Sequence, residues 1–171
     1  PIQFVDAASL LSAHEAIFRE EIYAFDAETS APRIIDGGAN VGLATLYWKR
    51  HFPEAEVIAF EPDPQVFEVL SNNIEAHGCS EVTLIQKGLW SEGGELTFQP
   101  DGADGGHIDG EPGEEETVHR IPVTRLPPYL EAPTDLLKLD IEGAEVEVLL
   151  DTEEALANVE RVFVEYHSYV D

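Results

Sequence analysis

The feature that most constrains the fold is an alternation. Short and almost wholly apolar runs recur along the chain: RII (33–35), EVIAF (56–60), VTLIQKGLW (82–90), DLLKLD (135–140) and RVFVEYH (161–167). Helical periodicity follows several of them, over 41–52, over 64–77 ending at Gly78, and over 144–150. Strands that are apolar on both faces must be covered on both faces, and helix-length connections imply parallel pairing. The pattern therefore predicts an α/β fold with a mostly parallel sheet. Ahead of it, residues 9–20 place Leu10, His14, Ile17 and Phe18 at helical spacing with Ser9 as candidate N-cap, and EIYAF (21–25) reads as a short strand. The expected organisation is an N-terminal helix and strand over 1–30, then one main domain over 31–171.

Two segments break the rhythm. GGELTFQP (93–100) reads as a turn and an added strand. DGADGGHIDGEPGEEE (101–116) is glycine and acid with little to bury, so an acidic loop insertion is expected over 100–117. A solvated, mobile loop and a lid over a substrate are its two readings, and its acids do not have the spacing of a calcium-binding loop. No internal repeat is present.

Charge narrows the partners. Thirty-five acids against nine bases give a net charge of −26, spread along the whole chain. Such a surface repels phosphate backbones and anionic lipid, which disfavours nucleic acid and membranes as partners. A charge so widely spread suits high salt, where screening shortens self-repulsion to a few Å. No apolar run reaches the roughly 20 residues that cross a bilayer. One cysteine, Cys79, and the absence of a signal pattern suit a reducing, cytoplasmic setting. The start at Pro1 suggests a trimmed chain, and the last predicted strand suggests a sheet truncated after its fifth strand.

The stretch RIIDGGANVGLATLYWKRHF (33–52) carries the first chemical signal. A strand turns sharply into a helix through Gly37, Gly38, Ala39, Asn40 and Gly42. Glycine permits unusual backbone angles and lets a ligand lie against the main chain. The helix start near Asn40 and Val41 is expected to offer N–H groups and a positive dipole end to an anion. Asp36 at the strand end would repel a pyrophosphate and attract an ammonium or sulfonium. The middle glycine of the dinucleotide fingerprint is absent, and there is no phosphate-binding lysine loop. Glu61 follows the next strand, 25 positions after Asp36, where a carboxylate can accept both hydroxyls of a ribose. Pro62 bends the chain. Asp63 can cap the next helix, with the lining of an adenine pocket as its other reading, and Pro64 fits the first turn. Gly88, Leu89 and Trp90 are placed to flank a flat ring, with packing as the alternative for Trp90. Taken together, these features describe a site for S-adenosylmethionine.

The motifs IIDGGANVGLATLYW, VIAFEPDP with LSNNI, LLKLDIEGAE and VFVEYH, in that order over about residues 33 to 167, resemble the FkbM-type family of class I methyltransferases. The resemblance implies a Rossmann-like, doubly wound sheet with strand order 3-2-1-4-5, S-adenosylmethionine as methyl donor, and transfer to oxygen on small molecules, sugars or secondary metabolites.

Methyl transfer from sulfonium to a hydroxyl is a direct displacement that needs alignment and the removal of one proton. Asp140 ends its strand where open α/β sheets bind ligands. In the order the resemblance implies, RVFVEYH lies beside it, and alternation sets Glu165 and His167 on one side. Asp140, Glu165 and His167 are thus the candidate catalytic group, with His167 as base. Glu142 and Glu145 read as support for the turn and the helix start. Lys138, a lysine in an apolar strand, reads as the partner of a carboxylate, with acceptor binding as the alternative. No metal is expected by default; Asp140, Glu142 and His167 are the ligands magnesium would find. Two other functions stay open, a non-catalytic S-adenosylmethionine-binding module and a nicotinamide-dependent oxidoreductase. Nothing in the sequence indicates an oligomeric state.

Overall fold

The computed structural model describes residues 2–101, 105–107 and 119–167. Its strands are β1 (Arg33–Gly37), β2 (Glu56–Phe60), β3 (Val82–Ile85), β4 (Gly88–Leu89), β5 (Gly94–Asp101), β6 (Gly105–His107), β7 (His119–Thr124), β8 (Leu136–Leu139) and β9 (Val162–Val164). Its α-helices are α1 (Ala7–His14), α2 (Leu43–His51), α3 (Pro64–Ala76) and α4 (Glu145–Thr152). The main sheet has the order β3-β2-β1-β8-β9, and every pair in it is parallel. Counted within that sheet the order is 3-2-1-4-5, as the resemblance implies.

Alternation along the strands feeds two cores. Ile34, Val57 and Leu136 face a cluster with Ile17, Tyr23, Leu43, Tyr47 and Trp48. Their neighbours Ile35, Ile58, Leu137 and Leu139 face the other side, against Leu89, Leu126, Leu130 and Val148. Helix α3 covers the first side through Leu70 and Ile74, which pack with Ala59 and Leu46. Each such side chain, fully buried, contributes roughly 1.5–3 kcal/mol. Ile17 and Tyr23 thereby tie the N-terminal segment into the core of the main sheet.

Several expectations need correction. Helix α1 starts two residues before the expected Ser9, because the Asp6 carboxylate accepts the Ser9 N–H at 2.7 Å and caps it. It then runs into a π-helical turn over Glu15–Arg19. EIYAF forms no strand: the Ala24 N–H bonds to the Glu21 carbonyl, and the Tyr23 carbonyl accepts the Trp48 indole N–H at 3.1 Å. VTLIQKGLW splits in two, because the Lys87 N–H turns back onto the Ile85 carbonyl at 2.9 Å. Its second half, β4, joins a smaller sheet of order β4-β7-β5-β6. Strand β7, HRIPVT, pairs parallel with β4 and antiparallel with β5. The added strand expected at 93–100 is β5. The acidic insertion falls mostly outside the described residues, and so does any lid it would form. Among the described residues, no helix is long and apolar enough to cross a membrane.

Candidate functional site

The predicted site residues around Asp36, Glu61, Asp140, Glu165 and His167 lie at or just past the C-terminal ends of β1, β2, β8 and β9, while Gly88, Leu89 and Trp90 lie in and after β4 of the smaller sheet. The glycine turn sits at the centre, and its glycines answer to the protein itself. A Cβ on Gly38, whose φ is +74°, would stand 1.7 Å from the carbonyl oxygen of Asp140. A Cβ on Gly42, with φ +90°, would meet Leu70 at 2.7 Å, and one on Gly37 would meet Leu89 at 2.9 Å. The expected close approach is thus made by β8, α3 and β4. The N–H groups expected to await an anion are also engaged. Asn40 donates its N–H to Glu61 Oε2 at 2.9 Å, and Val41 donates to the side-chain oxygen of Asn40 at 2.7 Å. Gly38 and Ala39 donate to the Phe60 carbonyl, and Gly42 to the Ala39 carbonyl.

Asp36 is 0% exposed. The β1–β8 register sets it beside Lys138, and Lys138 Nζ lies 3.2 Å from its Oδ1. Thr45 donates its hydroxyl to Asp36 Oδ2 at 2.7 Å. Asp36, expected to face a ligand's positive end, thus has its charge answered inside the protein. Lys138 also lies 3.5 Å from Asp140 Oδ2, and donates to the carbonyls of Gly38 at 2.7 Å and Gly37 at 3.3 Å. Its pairing with carboxylates is as expected. Burial alone would lower the Lys138 pKa, but Asp36 and Asp140 outweigh it and hold the ammonium well above the usual lysine range. Tyr23 stacks its ring 5.6 Å from that ammonium, and burial pushes its phenol far above the ordinary range.

Glu61 lies just past β2 and is buried. Its Oε1 accepts the Asp63 N–H and its Oε2 the Asn40 N–H, both at 2.9 Å, so one carboxylate ties the glycine turn to the turn after β2. Burial pushes its pKa up to about 7, against the two hydrogen bonds that lower it. Asp63 caps α3 by accepting from Gln65 and Val66, and Pro64 opens the helix. Gly88 and Leu89 are buried beside this corner, and a Cβ on Gly88 would come 3.7 Å from Pro62. Trp90 is partly buried against the clusters of Leu89 and of Ile121 and Val123, so packing is its observed contact.

Asp140, Glu165 and His167 come together beside the glycine turn. Asp140, Glu165 and His167 each place one ligand atom within 4.8 Å of the others. A hard divalent cation could bridge that spacing, and Glu165 takes the place the sequence pattern gave to Glu142. Burial and the Asp140 charge raise the Glu165 pKa. Burial would lower that of His167, but a hydrogen bond to Glu145 and the charges of Glu142, Glu145 and Asp140 carry it above the ordinary value. His167 Nδ1 lies 3.2 Å from Glu145 Oε1, and Nε2 lies 3.6 Å from Glu142 Oε2. Asp140 is placed by its own N–H, which bonds to the Gly37 carbonyl at 3.1 Å. The glycine turn and the Asp140, Glu165 and His167 cluster are therefore joined through backbone contacts of Gly37, Gly38 and Asp140.

Sequence patterns gave no hint of two contributors. Thr45 looked like any helix residue, although it stands one turn past the glycines, facing the strand end. Tyr23 sat inside a segment read as a strand.

Comparison with known proteins adds the lineage. The profile of the family described as the methyltransferase FkbM domain matches residues 36–170. The chain is 34% identical to Methyltransferase 1 of Beauveria bassiana, over 80% of this chain and 64% of that protein. It is also 34% identical to the hexuronic acid methyltransferase AglP of Haloferax volcanii, over 80% of this chain and 56% of that one. It thus spans less than two thirds of the length of either relative. A solved methyltransferase FkbM from Methylobacillus flagellatus shares the fold, with a TM-score of 0.58 and 19% identity over 82% of this chain and 33% of that one.

Proposed function

This chain belongs to the methyltransferase FkbM domain family, and from that premise we propose that it transfers the methyl group of S-adenosylmethionine to a hydroxyl oxygen of a small molecule, sugar or secondary metabolite. One observation carries the proposal. The turn after β1 is in direct backbone contact with Asp140, whose carboxylate groups with Glu165 and His167, which supports a molecule held at the turn reaching that group.

S-adenosylmethionine supplies an already activated methyl group. Glu61 fits its ribose, because a buried carboxylate with two backbone N–H partners still has lone pairs for hydroxyl donors. Pro62, Gly88, Leu89 and Trp90 provide the apolar wall for the adenine. With Asp36 buried against Lys138, Asp140 and Glu165 are the carboxylates left to face the donor's positive end. His167 takes the proton of the acceptor hydroxyl as its oxygen is aligned for displacement. The hexuronic acid methyltransferase among the relatives makes sugars and uronic acids the first acceptors to try.

The test is transfer of a tritiated methyl group to a panel of uronic acids, neutral sugars and hydroxylated small molecules. Labelled product, lost in His167→Ala, is the expected result. Donor binding with no transfer to any acceptor would leave a binding module in its place.

A further inference from the structure

We infer that Glu145 is a positioning residue for His167, holding the imidazole with its proton on Nδ1 so that Nε2 is the atom that receives the acceptor's proton. The inference rests on the methyl-transfer reading for its role in the reaction, but the geometry stands by itself. Glu145 opens α4 and is 1% exposed. Its Oε1 accepts the N–H groups of Ile141 at 3.0 Å and Gly143 at 3.2 Å, and its Oε2 accepts that of Gly143 at 3.0 Å. The turn wraps the carboxylate through two left-handed residues, Glu142 with φ +54° and Gly143 with φ +98°. The carboxylate is therefore fixed before His167 reaches it.

A neutral imidazole carries one N–H, and a carboxylate can only accept. With Glu145 Oε1 at 3.2 Å from Nδ1, the N–H belongs on that side and Nε2 keeps its lone pair. Nε2 lies 3.6 Å from Glu142 Oε2, longer than a hydrogen bond, so it is not committed to that carboxylate. Four carboxylates face the ring, those of Asp140, Glu142, Glu145 and Glu165, with Lys138 behind Asp140. All four favour the imidazolium that proton transfer creates. In the step itself the acceptor O–H bond breaks and Nε2 gains the proton, while the acceptor oxygen gains the methyl group as the donor's S–C bond breaks.

The readout is 15N NMR of the His167 imidazole in the full chain with the donor present, its signal assigned by loss in His167→Gln. The expected neutral form carries its proton on Nδ1. Glu145→Gln keeps an amide oxygen for the turn, so it should retain the fold, but it offers Nδ1–H only a weaker, neutral acceptor and should populate more of the Nε2-protonated form. Transfer by that variant should fall about tenfold or more in kcat, with donor affinity unchanged. An Nε2-protonated imidazole in the unaltered protein would overturn the inference, even if the variant does not fold. So would a tautomer unmoved by Glu145→Gln, or transfer that stops with a chelator and returns with magnesium, which would make His167 a ligand. The expected tautomer without any methyl transfer would support the positioning of His167 and overturn the methyltransferase reading alone.

Discussion

Glu61 shows how one buried carboxylate couples stability, pH and binding. Its folded pKa is raised to about 7 from 4.5, so between those values the folded chain holds a proton that the unfolded chain has lost. Stability should therefore fall as pH rises from 4.5 to 7 through this group, and denaturant titrations of Glu61→Ala should show a shallower decline. Donor hydroxyls need the ionised form as acceptor, so donor affinity should rise over the upper part of the same window. Lys138 makes the complementary case. Lys138→Met would leave Asp36 buried without its cation, at a cost of about 3–5 kcal/mol read from urea unfolding. A loss below about 1 kcal/mol would mean that the pair is not what holds β1 to β8. The oddity of a lysine in an apolar strand was legible from the sequence, and so was the position of Asp36. Its partner was not fixed, because strand register, unlike strand position, is a tertiary property.

Among the elements, the turn between β1 and α2 makes the sharpest prediction. Gly38→Ala meets both a left-handed backbone and the Asp140 carbonyl, so it should cost roughly 3 kcal/mol or more. Gly78→Ala has φ +62° but nothing within 4 Å, and should cost about 1 kcal/mol. Equal melting shifts for the two would contradict the tight fit of the turn against β8. Strands β1, β2 and β8 were legible because continuous apolar runs flanked by helices have few other fates. EIYAF and HRIPVT were not. The first has strand-like residues whose backbone groups are captured by local turns and by Trp48. The second carries Pro122 inside the strand, a residue that argues against one except near an edge or a bulge. The convergence of Asp140, Glu165 and His167 was legible once the strand order was supposed. The grip of Glu145 on His167 was not, since it joins two segments 22 residues apart through a turn no pattern specifies.

At the scale of the molecule, a net charge of −26 governs how the fold responds to dissolved ions. Self-repulsion among so many carboxylates opposes compaction and weakens as ions screen it. The melting temperature should climb between dilute buffer and about 2 M potassium chloride, followed by circular dichroism, and a value indifferent to salt would contradict salt adaptation. The buried Asp36–Lys138 pair should contribute little to that dependence, because screening barely reaches it. In the proposed reading, the ends of β1 and β2 form an S-adenosylmethionine site with Glu61 on the ribose. The decisive experiment is titration calorimetry of the salt-stabilised chain with S-adenosylmethionine. Saturable binding at one site, weakened about tenfold or more in Glu61→Ala, is the predicted result. No binding by the folded protein, or equal affinity in the variant, would contradict it.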